Sequence, residues 1–547
     1  MSNSLTVTER FIDRYSYPIL LTIFILWMCI GIFPLQSYET DGYEIILGCD
    51  VMYREGWSFP PIYSYEYRMQ PLVTILIVGL KHLMPFLTCE QLYCIVTVVA
   101  SLLFLTGCIR FAEHITGAGK TRILIAAMLL PEMYAIAMYP NSAIPAAACF
   151  IWALTGISHK RYWLSGLLLC VAVLFRLDIV IVFPTILPLF VYEGMSLKKA
   201  IGLSAVFGAA VVIITLVMFW IIGAEALPAY DSYQEWNNII TPQERILAIV
   251  GFYSLAYFVL MPIGLYVILR RKAWKELFLI LLPILLLHVV YGQFGNASKH
   301  FLYNAPFVII MGVHALTWLE EALKSRPVWK WTPLVLTILF MTISIRKQNL
   351  DMPWLQENPL HQAGIVAPLY SMQKGCTAYT VGLGAGYQLI TNDEYMLLTG
   401  HLFYPWYIRS IKQTLADWHD QQMEVLDNVP TSNILTFEWG ASGPVAFSLM
   451  REGSHFSILE NMPEEYRFTI SNSRRDLHFW RVILPAGVRD RDEIDGFIDQ
   501  VSTRFPDGEQ YIIAASNHYG TSHFLDEIAQ TGKLRKQGGR LYQIIKQ

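Results

Sequence analysis

The chain has 547 residues, of which 54% are hydrophobic and only 15% are charged, and its mean hydropathy is +0.41. This composition excludes an ordinary soluble protein and predicts an integral membrane protein. The net charge of -3 gives no reason to expect a nucleic-acid partner, because such partners usually require a basic face.

Long apolar blocks fill the first 347 residues, whereas the composition after this point is typical of a water-soluble domain. A helix needs roughly 20 apolar residues to cross a bilayer, and somewhat fewer when neighbours shield its ends. We therefore predict a polytopic α-helical membrane protein with about eleven transmembrane helices and a C-terminal α/β soluble domain. The predicted helices are 19–35, 92–109, 123–138, 144–157, 162–175, 179–192, 200–222, 246–269, 277–291, 301–319 and 331–345.

The distribution of basic residues predicts the orientation of these helices. With a cytoplasmic N-terminus, the cytoplasmic segments carry sixteen Lys and Arg residues and the opposite side carries eight up to residue 347. Short loops rich in Lys and Arg stay inside, which favours this orientation. If the apolar stretch 71–86 crossed the membrane, every later loop would change sides and most of the basic clusters would lie outside. We therefore interpret this stretch as a helix lying at the outer interface. The first outer loop, 36–90, and the whole of 348–547 then share the non-cytoplasmic side.

Polar motifs follow one another on this outer side, where charged groups near helix ends are functional candidates. The first is "TDGYE" at 40–44, within a run of five carboxylates, and the second is "SYEYRMQPL" at 64–72. The others are "YPNS" at 139–142, "FRLD" at 175–178 and "SKHFLYNAPF" at 298–307.

These five motifs, in this order, resemble those of the GT-C superfamily of polyprenyl-phosphate-sugar-dependent glycosyltransferases. Within it they are most similar to the dolichyl-phosphate-mannose-dependent mannosyltransferases and their bacterial relatives. The similarity covers roughly residues 10–320, although this chain has Asp41-Gly42 where the family often has Asp-Glu, and Leu177 where it has Pro. The resemblance implies inverting transfer of mannose or another hexose from a polyprenyl-phosphate donor to a lipid, glycan or protein hydroxyl.

The acidic motif supplies the predicted catalytic residues. A carboxylate can remove the proton of the acceptor hydroxyl as it attacks the anomeric carbon. We assign this role to Asp41, which matches the family's acidic motif, with Glu44 as the reserve candidate three residues later. The alternative is that both are solvated loop acids.

The remaining motifs supply the predicted binding residues, because fixed positive charge stabilises the phosphate of the lipid donor. Lys299 and His300 are the expected phosphate ligands, with Tyr303 beside them as a donor-binding residue; the alternative is that all three form an ordinary interfacial anchor. Arg176 either reaches the phosphate or closes a turn with Asp178.

Glu66 and Arg68 either orient the donor or anchor the interfacial helix by snorkelling. The turn "YPNSAIP" has no carboxylate, which disfavours a metal-dependent mechanism, and we expect neither a metal nor a cofactor.

The C-terminal part, 348–547, alternates short apolar runs with helical patterns, which is typical of an α/β domain. Its "GLGAGYQ" lacks the third glycine of a dinucleotide-binding loop, so we interpret it as a turn. Two other functions remain open: an O-antigen polymerase or ligase, and a lipid-linked glycan transporter. The expected location is a bacterial inner membrane, in the cell envelope.

Overall fold

The computed structural model of the chain describes residues 7–36, 40–56, 71–130, 133, 140–222, 242–291, 301–323, 343–349, 366–368, 377–383, 396–397, 405, 409, 412–413, 432–436, 454–458, 468–472, 477–481, 491–504, 509–513, 521–538 and 541–545.

The described part of the first 323 residues is almost wholly helical. Helices α1 to α12 are Val7–Ile32, Thr40–Glu55, Pro71–Leu83, Cys89–Thr116, Lys120–Met128, Ala143–Ser158, Tyr162–Phe175, Ile186–Tyr192, Leu197–Ile222, Pro242–Arg270, Trp274–Tyr291 and Ala305–Leu323. Two 3₁₀ segments, Leu177–Thr185 and Leu302–Asn304, lead into α8 and α12.

Ten of the eleven predicted transmembrane helices overlap helices of the structure. Among the described residues, four helical stretches are long and apolar enough to cross a membrane, namely Tyr15–Ile32, Cys89–Thr116, Leu197–Ile221 and Leu302–Ala322. Shorter apolar helices lie at Pro71–Leu83, Ala143–Ser158, Tyr162–Phe175, Leu177–Tyr192 and Ala256–Arg270.

The prediction of an eleventh helix over 331–345 is wrong at its C-terminal end. Residues 343–345 belong to a strand, Ile343–Asn349, while 331–342 lie outside the described residues. The alternation of β-branched and polar side chains in this segment favours a strand. This strand also crosses the predicted domain boundary after residue 347.

The helix that supports the outer turns is α4, and local sequence fixes both of its ends. Thr88 accepts a hydrogen bond from the Gln91 backbone N–H, and the Gln91 side chain accepts one from the Thr88 N–H, which is a capping box. Gly117 ends the helix in the left-handed conformation, with φ of 66°. Helices α6, α12, α5, α3 and α2 all pack against α4.

The described residues of the predicted outer loop 36–90 include two helices that pack against each other. The first is α2, which buries Ile45, Ile46, Cys49 and Met52 along one side. The second is α3, which begins at Pro71 as predicted for the interfacial helix and buries its own apolar side against α2, α4 and α7. The loop therefore holds an amphipathic helix pair, because one stripe of each helix is apolar.

Strands occur in the described residues only from position 343 onward. Strands β1 to β11 are Ile343–Asn349, Val366–Pro368, Thr377–Leu383, Met396–Leu397, Ser432–Thr436, Ser454–Ile458, Phe468–Asn472, Leu477–Arg481, Glu509–Ile513, Leu534–Gly538 and Leu541–Ile544. Two further helices are α13, Arg491–Arg504, and α14, Thr521–Gln530.

The strands form two sheets. An antiparallel four-stranded sheet has the order β2-β3-β1-β4, and a mixed seven-stranded sheet has the order β10-β11-β9-β5-β8-β7-β6. In the larger sheet β5 pairs in parallel with both β8 and β9. Helix α14 packs on α13 and on β10. The glycine-rich "GLGAGYQ" begins at the end of β3, and its residues 384–388 lie outside the described residues.

Candidate functional site

A hydrogen-bonded network joins three of the predicted outer motifs. Arg176 lies at the end of α7, where its extended backbone, with φ of -162°, stops the helix and starts the 3₁₀ segment. Its Nε donates to Asp178 Oδ2 at 2.9 Å, and its Nη1 donates to Ser142 Oγ at 3.1 Å. The guanidinium is largely buried, with the residue 9% exposed. Buried hydrogen bonds of this kind hold a charged side chain in one orientation.

Tyr303 closes the network from the other side of the bundle. Its hydroxyl donates to Asp178 Oδ1 at 2.8 Å, and the residue is fully buried. The carboxylate of Asp178 therefore binds Arg176 through one oxygen and Tyr303 through the other. The ion pair between Arg176 and Asp178, one of the two predicted interpretations of these residues, is present in the structure.

The turn "YPNS" supplies the third part of the network. Asn141 is buried, and its backbone N–H donates to Thr97 Oγ1 in α4 at 3.2 Å. Its Oδ1 accepts the Ala143 N–H at 2.7 Å, which caps the first turn of α6. The Nδ2 of Asn141 is buried and has no hydrogen-bond partner in the described part of the chain. A buried amide donor without a partner is costly, so this group is suited to bind an incoming oxygen.

The predicted catalytic acids lie in the first turns of α2. Position 41 continues the stripe formed by positions 45, 49 and 52, because residues four apart lie on one side of an α-helix. Ile45, Cys49 and Met52 in that stripe are buried. The side chains of Asp41 and Glu44 lie outside the described residues.

The C-terminal end of α2 is held by charged and aromatic contacts. Asp50 forms an ion pair with Arg54 at 2.7 Å. The ring of Tyr53 lies 4.7 Å from that of His82 and 5.5 Å from Lys81 Nζ. Lys81 also donates to the backbone carbonyl of Pro85 at 2.8 Å. These contacts fix α2 on α3 and thus limit where its first turn can lie.

Four predicted site residues, Glu66, Arg68, Lys299 and His300, lie outside the described residues. Tyr303 lies three positions after His300, so the network includes a residue close in sequence to the two predicted phosphate ligands, Lys299 and His300. The roles assigned to all four remain predictions.

Three members of the network are not among the predicted site residues, namely Asn141, Ser142 and Thr97. Ser142 belongs to the quoted turn "YPNS", so the sequence indicates the motif but not the contact of Ser142 with Arg176. Thr97 gave no signal, because an isolated threonine in an apolar helix is common. Among the described residues no group of three His, Cys, Asp or Glu side chains is placed to hold a metal ion.

Solved structures with the same fold cover nearly the whole chain. ArnT from Cupriavidus metallidurans bound to undecaprenyl phosphate superposes with a TM-score of 0.56 at 10% identity, over 96% of this chain and 97% of that chain. The apo state of the same protein gives a TM-score of 0.52 over the same shares, again at 10% identity. The apo oligosaccharyltransferase from Archaeoglobus fulgidus gives 0.46 at 10% identity, over 90% of this chain and 69% of that chain.

No family model and no curated protein matches the chain. The likeness is therefore one of fold, and it extends across both the helical part and the strands. In keeping with a multi-span helical protein, the described part of the chain has four helices long and apolar enough to cross a membrane. The fold of this chain is therefore that of the two ArnT structures.

Proposed function

We propose that this protein transfers a sugar from a polyprenyl-phosphate donor to a hydroxyl group of a lipid, glycan or protein acceptor on the non-cytoplasmic side of the membrane. The observation that carries the proposal is the buried network of Arg176, Asp178, Tyr303 and Ser142. It lies at the ends of helices that meet at one side of a GT-C fold.

In this proposal Arg176 lies close to the phosphate of the lipid donor. A guanidinium held by Asp178 and Ser142 needs no reorganisation when charge develops on the departing phosphate. Because Asp178 neutralises part of the positive charge of Arg176, a second cation is required at the phosphate. Lys299 and His300 precede Tyr303 closely enough in the chain to supply it. That the ArnT structure holds undecaprenyl phosphate supports a lipid phosphate as the ligand of this fold.

The acceptor side of the reaction is assigned to α2. Asp41 takes the proton of the acceptor hydroxyl as this oxygen attacks the anomeric carbon and the bond to the phosphate oxygen breaks. Attack from the face opposite the phosphate inverts the configuration of that carbon. Glu44 is the alternative base, and Asn141 Nδ2 donates a hydrogen bond to a sugar or phosphate oxygen.

The test is a transfer assay with purified protein and a panel of radiolabelled polyprenyl-phosphate sugars, with a cell lipid extract as acceptor. We expect transfer from one donor, with inverted configuration in the product. Absence of transfer from every donor, together with movement of labelled lipid-linked glycan across vesicle membranes, would instead establish the transporter alternative.

The proposed orientation is tested separately. An Asp420→Cys variant in a background without the native cysteines should react with an impermeant maleimide added to intact cells with a permeabilised outer membrane. Reaction only after lysis of the inner membrane would place the C-terminal part in the cytoplasm and reverse the assigned sides.

A further inference from the structure

A buried lysine of the C-terminal part holds the end of the first helix. Lys412 is fully buried, with 0% of its surface exposed. Its Nζ donates to the backbone carbonyl of Ile32 at 2.8 Å and to that of Pro34 at 3.3 Å. Ile32 is the last residue of α1, so a residue 380 positions away in the chain caps this helix.

This contact is physically suited to a helix end. The last four carbonyls of an α-helix have no partner within the helix, and the negative end of the helix dipole attracts a cation. Burial opposes the charge and lowers the pKa of Lys412 to about 8, although the Glu90 carboxylate and Cys94 oppose this shift. The ammonium form therefore predominates at pH 7, where it donates to both carbonyls.

The capped end of α1 leads directly to the proposed base. The Gln36 N–H donates to the Pro34 carbonyl at 2.8 Å, and α2 begins at Thr40. The anchored carbonyl of Pro34 is thus seven residues before Asp41. The far end of α2 is held separately by the contact of Tyr53 with His82.

We propose that Lys412 is a positioning residue for the catalytic acid: by capping α1 it fixes the connection into α2 and hence the place of Asp41. This inference rests on the proposed function. It gives the C-terminal part a role in catalysis, because its lysine holds the chain at Pro34, seven residues before Asp41.

Hydrogen–deuterium exchange of the full-length protein tests the anchoring without any assay of activity. The amides of residues 44–48 are the first that can be hydrogen-bonded within α2, since the four before them have no helical partner. In Lys412→Met we expect these amides to exchange about tenfold faster, because the start of α2 opens locally more often. The last turn of α2 should keep its wild-type exchange rate.

Two variants serve as controls. Arg409→Met removes an exposed cation three residues earlier in the same segment and should leave exchange unchanged. Lys412→Arg keeps the charge and the donors, so it should restore most of the protection. If Lys412→Met does not yield a monodisperse protein, Lys412→Gln provides the same comparison.

Transfer kinetics then test the catalytic consequence. Lys412→Met should lower kcat about tenfold, since a small displacement of a base is costly, while KM for the donor stays within about twofold. Unchanged exchange at 44–48 would overturn the inference whatever the activity. Faster exchange with unchanged kcat would overturn the positioning role. Faster exchange in a protein whose wild type transfers no sugar would support the anchor and contradict the proposed function instead.

Discussion

Tyr303 shows how one hydroxyl links two motifs that are far apart in the chain. Its bond to Asp178 spans 125 positions, and Asp178 in turn holds Arg176. The position of the Arg176 guanidinium therefore depends on Asp178, in the following 3₁₀ segment, and through it on Tyr303.

Replacement of this tyrosine tests the network. Tyr303→Phe removes the donor to a charged acceptor, which should lower stability by about 1.5–3 kcal/mol and raise KM for the donor. The measurement is the apparent melting temperature in detergent together with donor titration. Tyr162→Phe is the matched control, since the Tyr162 hydroxyl makes no hydrogen bond within the described ranges. Equal effects of the two substitutions would contradict the role given to the network.

Among the elements, α12 carries Tyr303 into place, and its packing depends on one glycine. A Cβ at Gly264 of α10 would lie closer to the Met311 carbonyl oxygen of α12 than van der Waals contact allows. Tyr257 of α10 also donates to the Ala126 carbonyl of α5 at 2.6 Å. Helices α10 and α12 thus approach each other at backbone distance, and the Tyr257 side chain links α10 to α5.

Gly264→Ala should push α10 and α12 apart, because backbone atoms cannot yield as a flexible side chain does. We expect a loss of stability of about 1–3 kcal/mol and a loss of transfer activity, measured on the same preparation. The control is Gly202→Ala in α9, where a Cβ would meet nothing within 4 Å; there alanine should be neutral or slightly stabilising. A Gly264→Ala protein as stable as this control would show that the close approach is not essential.

The sequence predicts best those elements that are formed by interactions between residues close together in the chain. Helix α7 has the predicted bounds, Tyr162–Phe175, because Arg161 and Arg176 flank a run that is apolar except at Ser165 and Gly166. Among the short apolar runs of the C-terminal part, "AYTVGLG", "SNILTFEW", "RFTISNS", "HFWRVILP" and "QYIIAAS" each overlap a strand of the structure. Residues 343–345 were mistaken for a helix end since apolar content alone does not distinguish a helix from a strand.

The site was predictable only in part for the same reason. The distribution of basic residues predicts that Arg176, Asp178 and Tyr303 share one side of the membrane, and the structure joins them by hydrogen bonds. The partners of Lys412 were not predictable, because a lone lysine in a helical pattern carries no local sign of a contact 380 residues away. Similarly, the sequence predicts a loop where α2 lies, since the four acids of this helix dilute its apolar stripe.

At the scale of the whole molecule, Lys412 makes stability depend on pH. Burial lowers the pKa of this lysine from 10.5 to about 8, so between these values the unfolded chain binds more protons than the folded one. Stability therefore rises with pH through this window. The gain is up to about 3 kcal/mol, since a tenfold change in proton affinity corresponds to about 1.4 kcal/mol.

The comparison with Lys412→Met isolates this effect from other groups that titrate in the same range. The melting temperature of the wild type relative to the variant should increase between pH 7.5 and pH 10. A difference that stays constant over this range would show that the lysine has the same pKa in the folded and unfolded chain.

The central claim is that a carboxylate at the start of α2 removes the acceptor's proton in a sugar transfer. Its most direct test is the single-turnover rate of transfer by Asp41→Asn, with Glu44→Gln measured beside it and Glu55→Gln, at the far end of the same helix, as control. Loss of a general base should slow Asp41→Asn by about 10²-fold or more, while Glu55→Gln keeps the wild-type rate. An undiminished rate in Asp41→Asn would contradict the account, and a selective loss in Glu44→Gln would move the base to that residue.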